Sequence, residues 1–199
     1  AYADGSRDVI DHLSFDFRPN TCTAILGETG AGKTTMVRLI LALIQPTSGH
    51  VYIYNKEREQ DISPLTRCNL IYVPQGNTLL SGTIRDNLRM GRFNATDGEM
   101  MQALDKACAG FVRDIPGGLD ASCSESGGGL SEGQAQRISI ARALLREGSV
   151  MIFDEATSAL DPETERQLLA NLLQERRQTI IFITHRSAVV DYCDQVLRI

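Results

Sequence analysis

The sequence predicts an α/β fold, a mostly parallel sheet with an inserted helical block, and three observations carry that prediction. Short apolar, β-leaning runs at residues 23–26, 69–73, 150–153 and 179–183 alternate with stretches of helical spacing. The run at 179–183 is apolar throughout apart from its first threonine, as in a strand buried on both faces. Between residues 76 and 147 strand patterning stops and amphipathic helical patterning takes over. The expected organisation is therefore an α/β core of residues 1–75 and 148–199 with a helical subdomain of residues 76–147.

The elements follow in chain order. Leu13, Phe15 and Phe17 alternate with polar neighbours, the period-2 pattern of a strand with one buried face. Pro19-Asn20 turns the chain into the strand at 23–26, and a helix is expected over 33–44. Residues 45–49 are a turn cluster, 50–54 a strand, and 69–73 another strand stopped by Pro74, which leaves Gln75 at its carboxyl edge. In the inserted block, helices are expected over 83–90 and 97–109, the second opening behind Thr96. Residues 115–120 read as irregular and 121–129 as too polar for a core, before Ser131 caps a helix ending near Arg146. The strand at 150–153 runs directly into Asp154-Glu155. Asp161-Pro162 opens a helix reaching about Arg177, and Thr184-His185 follows the strand at 179–183.

The most informative stretch is Gly27-Glu28-Thr29-Gly30-Ala31-Gly32-Lys33-Thr34, with Thr35 behind it. A strand precedes it and a helix follows, the setting in which G-x-x-x-x-G-K-[ST] forms a phosphate-binding loop. Its glycines let successive backbone N–H groups turn inward as an anion nest, and the helix adds its positive end. Lys33 is placed to reach the outer phosphates and the Thr34 hydroxyl to ligate Mg²⁺. The dinucleotide pattern G-x-G-x-x-G fails, because Lys33 and Thr35 stand where it would continue after Gly30 and Gly32.

Composition removes several classes. A formal net charge of −5 provides no basic face for nucleic acid. The five cysteines, at 22, 68, 108, 123 and 193, have no C-x-x-C spacing, which suits a reducing compartment better than a disulfide framework. No apolar run approaches the roughly 18 residues a membrane span needs. The first residues lack signal-peptide character, so a membrane link is expected through another polypeptide or another part of the gene product.

Ligands of parallel α/β sheets lie beyond the carboxyl ends of the strands, where Thr34, Gln75, Asp154, Glu155 and His185 all fall. Asp154 fits a second Mg²⁺-site carboxylate, and Glu155 a group that orients and polarises an attacking water. His185 fits a donor to a γ-phosphate, and Gln75 a sensor of metal and water. Leu130-Ser131-Glu132-Gly133-Gln134 opens a second helix whose N–H groups form a second anion site. One nucleotide with two such helix starts is explained if the second serves a nucleotide held by another copy.

Taken together, these residues resemble the nucleotide-binding domain of an ABC transporter, in the family's order and over nearly the whole chain. The phosphate loop, Gln75, Leu130–Gln134, Asp154-Glu155, the loop from Ser158 to Asp161, and His185 carry the likeness. The resemblance implies ATP and Mg²⁺ as ligands and ATP hydrolysis as the activity. It implies a head-to-tail homo- or heterodimer, with each ATP between one phosphate loop and Ser131, Gly133 and Gln134 of the second copy. Asp161 would couple the two sites, and Tyr2 would stack on adenine. The segments 79–88, 115–120 and 125–127 resemble exporters, which implies a transmembrane-domain partner and a place at the cytoplasmic face of a membrane. An importer-type ATPase and a soluble ABC ATPase acting on nucleic acid or ribosomes are the alternatives. Two departures stand out: Glu132 replaces a common glycine, and Ser124 stands where a glycine usually precedes the exporter glutamate. The chain also reads as trimmed at both ends relative to family members.

Overall fold

The computed structural model describes residues 9–28, 30–123, 129–174 and 177–199, which fall into two compact units. Tyr2, Thr29, Ser124 and the 125–127 segment lie outside the described residues.

The first unit comprises residues up to 71, 148–152 and 177–199. Its frame is a five-stranded sheet in the order β4-β7-β8-β1-β9. The strands are β1 (Cys22–Leu26), β4 (Leu70–Val73), β7 (Val150–Asp154), β8 (Thr179–Ile183) and β9 (Gln195–Arg198); the last residues of β4 and β7 belong to the second unit. β1 lies at the centre of a parallel trio, with Ala24 opposite Phe182 on β8 and Val196 on β9. Cys22, Thr23, Ala24 and Ile25 are all buried, as a strand covered on both faces requires. Behind β1 comes α1 (Lys33–Ile40), which buries Met36, Val37 and Ile40. The helix stops four residues short of the expected end because Ala42 takes a left-handed φ of 52° and Leu43 N–H turns back to Arg38 O. A hairpin of β2 (Tyr52–Tyr54) and β3 (Glu59–Asp61) completes the unit.

The alternation at Leu13, Phe15 and Phe17 does not become a strand. Phe15 and Phe17 are half-buried and meet edge to face at 4.9 Å, so the pattern marks a partly covered face without a ladder.

The second unit comprises residues 72–147 and 153–176. It holds α2 (Ile84–Arg89), α3 (Asp97–Lys106), α4 (Glu132–Leu144) and α5 (Pro162–Leu173). α4 packs against α2 and α3, and α3 against α5. The inserted block is not free of strands: β5 (Gly82–Thr83) pairs with β6 (Ser122–Cys123), two residues each, too short to leave a period in the sequence. Thr83 and Thr96 close reciprocal capping boxes with Asp86 and Glu99, which fixes the starts of α2 and α3. Buried Asn87 exchanges hydrogen bonds with the backbone of Leu80 and donates to Thr83, holding residues 80–83 to α2.

Candidate active site

In the first unit, the residues after β1 turn sharply before entering α1. Ala31 N–H donates to Glu28 O, while Gly30 and Gly32 take left-handed φ angles of 89° and 106° that a side chain would strain. Gly27 is required for another reason. A Cβ there would stand 2.7 Å from Ile199 O, so only glycine lets β9's end lie against the loop. The Lys33 ammonium folds over the loop and donates to Gly27 O at 2.6 Å and Glu28 O at 2.8 Å.

The start of α1 differs from every other α-helix among the described residues. Thr83, Thr96, Ser131 and Asp161 cap their helices with a side-chain oxygen, but Gly32 at the head of α1 supplies none. The first N–H groups of a helix need an acceptor, and an anion is the natural one. Thr34 and Thr35 lie in this first turn, behind Lys33. His185 is exposed just beyond β8, behind buried Thr184, whose hydroxyl accepts from Arg186 N–H. A cavity of about 1210 Å³ opens beside α1 and is lined by Met36, Leu39 and Ile40; among the described residues of the loop 27–35, Thr35 alone lines it.

In the second unit, Asp154 ends β7 and accepts a 2.7 Å hydrogen bond from the Tyr72 phenol. Burial and this carboxylate push the phenol's pKa upward, so it stays protonated and donating. Glu155 follows with a left-handed φ of 49°, uncommon for a residue with a side chain and worth about 1–3 kcal/mol of local strain. A turn closes behind it, Ser158 N–H donating to Glu155 O. Gln75 is exposed in the bend after β4, ahead of Gly76 at φ 80°. The segment that follows is anchored to α4, because Arg142 donates to Thr78 O and Oγ1 and Thr78 Oγ1 donates to Ser139 Oγ at 3.1 Å.

Ser131 caps α4 through a reciprocal pair with Gln134: its Oγ accepts from Gln134 N–H, and its own N–H donates to Gln134 Oε1. The Ser131 hydroxyl keeps its proton available to a ligand. Glu132 is exposed in the first turn, where a helix favours negative charge but an incoming phosphate does not. Asp161 caps α5 by accepting from Glu163 and Thr164 N–H, and these bonds, Thr164 foremost, hold its carboxyl below the usual range.

Sequence reasoning missed two contributors within this unit. Tyr72 read only as a strand residue. Gln136, fully buried on α4, accepts from Ala159 N–H at 3.3 Å, and Gly133 lies so near Ala159 that a Cβ would meet its carbonyl at 2.9 Å. The start of α4 is thereby fitted to the turn between Glu155 and Asp161. The close approach at Gly133 leaves a signal, a glycine in a helix's first turn, but the partner Ala159 leaves none.

The fold and the glycine loop define a P-loop α/β domain of the ATP-binding cassette type. The family model for ABC transporters matches residues 10–158, and the chain belongs to that family, as its ATP-binding domain. It is 36% identical over 196 residues to the mitochondrial iron-sulfur clusters transporter ATM1 of Kluyveromyces lactis, covering 96% of this chain and 27% of that protein. It is 39% identical over 193 residues to antigen peptide transporter 2 of Mus musculus, covering 96% and 27%. It is also 39% identical to the β-(1→2)glucan export ATP-binding/permease protein NdvA of Agrobacterium vitis, covering 98% and 34%. A bacterial Atm1-family ABC exporter solved with ATP bound superposes with a TM-score of 0.88 at 33% identity, over 99% of this chain and 35% of that one. The chain thus spans about a third or less of the length of these relatives. No helix among the described residues is long and apolar enough to cross a membrane.

Proposed function

We propose that this domain binds Mg²⁺-ATP and hydrolyses its γ-phosphate, and that two copies packed head to tail drive export through transmembrane domains at the cytoplasmic face of a membrane. The observation that carries the reading is the start of α1, a helix with no side-chain cap behind a glycine loop over which Lys33 is folded. Gly32 offers this helix start no side-chain oxygen of the kind that caps the other described α-helices, and a phosphate can fill that role.

Each residue takes a role matched to its chemistry. The loop from Gly27 to Thr35 cradles the phosphates, and the Lys33 ammonium exchanges its two carbonyl partners for phosphate oxygens. Thr34, Gln75 and Asp154 are a hard-oxygen set suited to Mg²⁺, with Tyr72 orienting the Asp154 carboxylate. When bound, the ion neutralises charge on the phosphate oxygens. Glu155 orients the attacking water or takes its proton, and His185 donates to the γ-phosphate. Tyr2 stacks on the base. Ser131, Gly133 and Gln134 of the second copy close over the same phosphates, and Asp161 joins the two sites. Similarity to a glucan export protein and to an Atm1-family exporter supports the export direction over the importer and soluble alternatives.

Equilibrium binding of a fluorescent ATP analogue tests the reading. Lys33→Ala loses charge-assisted hydrogen bonds and should bind about 10–100-fold more weakly. Unchanged binding in a folded variant would overturn the assignment.

A further inference from the structure

The strand pair β1 and β9 carries a feature outside the proposed nucleotide chemistry. Cys22, the first residue of β1, and Cys193, two residues before β9, bring their Sγ atoms to 2.8 Å. That separation is well inside the ~3.5–4 Å at which carbon-sized atoms rest, and it leaves only a short approach to a covalent S–S bond near 2 Å. The neighbourhood holds the two segments in register. Cys22 N–H donates to Asp194 Oδ2 at 2.9 Å, Asp194 N–H donates to Cys22 O at 2.8 Å, and Thr23 is paired with Gln195. The two thiols also differ in access, since Cys22 is 1% exposed whereas Cys193 is half-buried.

We propose that Cys22 and Cys193 form an oxidation site at which a peroxide closes a reversible disulfide stapling β1 to the segment entering β9. The accessible Cys193 thiolate attacks one peroxide oxygen, the O–O bond breaks, and Cys193 sulfenic acid forms with release of water or alcohol. The Cys22 thiolate then attacks the sulfenic sulfur; the S–S bond forms as the S–O bond breaks, and the hydroxide leaves as water after protonation. The two sulfurs together lose two electrons and the peroxide gains them. A thiol reductant reverses the change through a mixed disulfide. The staple sits at one end of β1, while at the other end Gly27 lies against Ile199 O, so the cross-link fixes the frame from which the phosphate loop springs.

The site stands on geometry independent of ATP hydrolysis, and its test uses no nucleotide. The purified, reduced protein is exposed briefly to hydrogen peroxide, free thiols are blocked, and proteolytic peptides are identified by mass. The expected product is the Cys22 peptide linked to the peptide of residues 187–198, appearing before oxidation of Cys68, Cys108 or Cys123 and lost on treatment with dithiothreitol. In Cys193→Ser no linked peptide forms and Cys22 stays reduced. The cross-linked form should unfold on the order of 10 °C higher than the reduced form. Cys193 sulfinic acid without a linked peptide, pairing of either cysteine with Cys68, or an unraised unfolding temperature would overturn the proposal. Circular dichroism of Cys193→Ser, whose position is half-buried, controls for misfolding.

Discussion

The Tyr72 phenol donates a 2.7 Å hydrogen bond to Asp154 Oδ2, joining the third residue of β4 to the last residue of β7. The bond leaves the other carboxylate oxygen to a ligand and fixes the plane in which it is offered. Tyr72→Phe removes the hydroxyl without changing the ring. If Asp154 serves Mg²⁺, loss of such an orienting partner should raise the Mg²⁺ concentration for half-maximal turnover about 10–100-fold. A titration of phosphate release against Mg²⁺ reads this directly. An unchanged midpoint would make the contact purely structural.

Gly133 and Ala159 give a second prediction. A methyl group at position 133 meets the Ala159 carbonyl at 2.9 Å, and a backbone atom in a closed turn yields less easily than a side-chain tip. Gly133→Ala should destabilise the fold by about 1–3 kcal/mol. It should also lower turnover, because the displaced turn begins at the strained Glu155. Chemical denaturation and phosphate release measured on the same preparation check both. Full activity with full stability would show that this approach is not needed.

Arg85 predicts a pH dependence. It bridges Asp97 and Asp120, and these bonds hold both carboxyls below the usual aspartate value of 3.8. A depressed folded-state pKa means the stabilisation is present above the unfolded value and disappears as pH falls through the folded one. Arg85→Met should therefore be less stable than the parent at pH 7, with the difference shrinking below about pH 4. Denaturation midpoints across pH 2.5–7, on the order of one midpoint per half unit, suffice. A constant gap at all pH values would mean that packing, and not charge, carries the contribution.

Glu132 is this chain's own variation. As an exposed acid in the first turn of α4 it favours the helix by about 0.3–1 kcal/mol. The same charge opposes a phosphate arriving at that helix start. Glu132→Gly should lower thermal stability slightly and tighten nucleotide-driven dimerisation about fivefold at low salt, with less effect at high salt. Analytical ultracentrifugation with ATP and Glu155→Gln as background tests this; equal dimerisation with and without the carboxylate would remove Glu132 from the interface.

What the sequence made legible follows from how local the causes are. The strands at 23–26, 150–153 and 179–183, and the helix starts at Thr83, Thr96, Ser131 and Asp161, rest on neighbouring residues, and each is found within a residue or so of its expected place. β9 escaped notice because Gln195–Arg198 is strand only by virtue of pairing with β1. The two-residue pair β5–β6 is too short for any periodicity. The early end of α1 turns on the left-handed φ of Ala42, a residue with no such habit. For the same reason the phosphate loop was legible as a spacing, whereas Tyr72 on Asp154, Gln136 on Ala159 and Cys22 beside Cys193 were not. Each joins residues 23 to 171 positions apart.

Glu155, in its strained position after β7, is the residue proposed to activate the water that cleaves ATP. The most direct measurement is steady-state phosphate release from Mg²⁺-ATP by the purified protein and by Glu155→Gln, with nucleotide binding measured in parallel. The variant should retain ATP binding while turnover falls about 100- to 10,000-fold. Phosphate release by Glu155→Gln at the parent rate, or none from the parent protein, would contradict it.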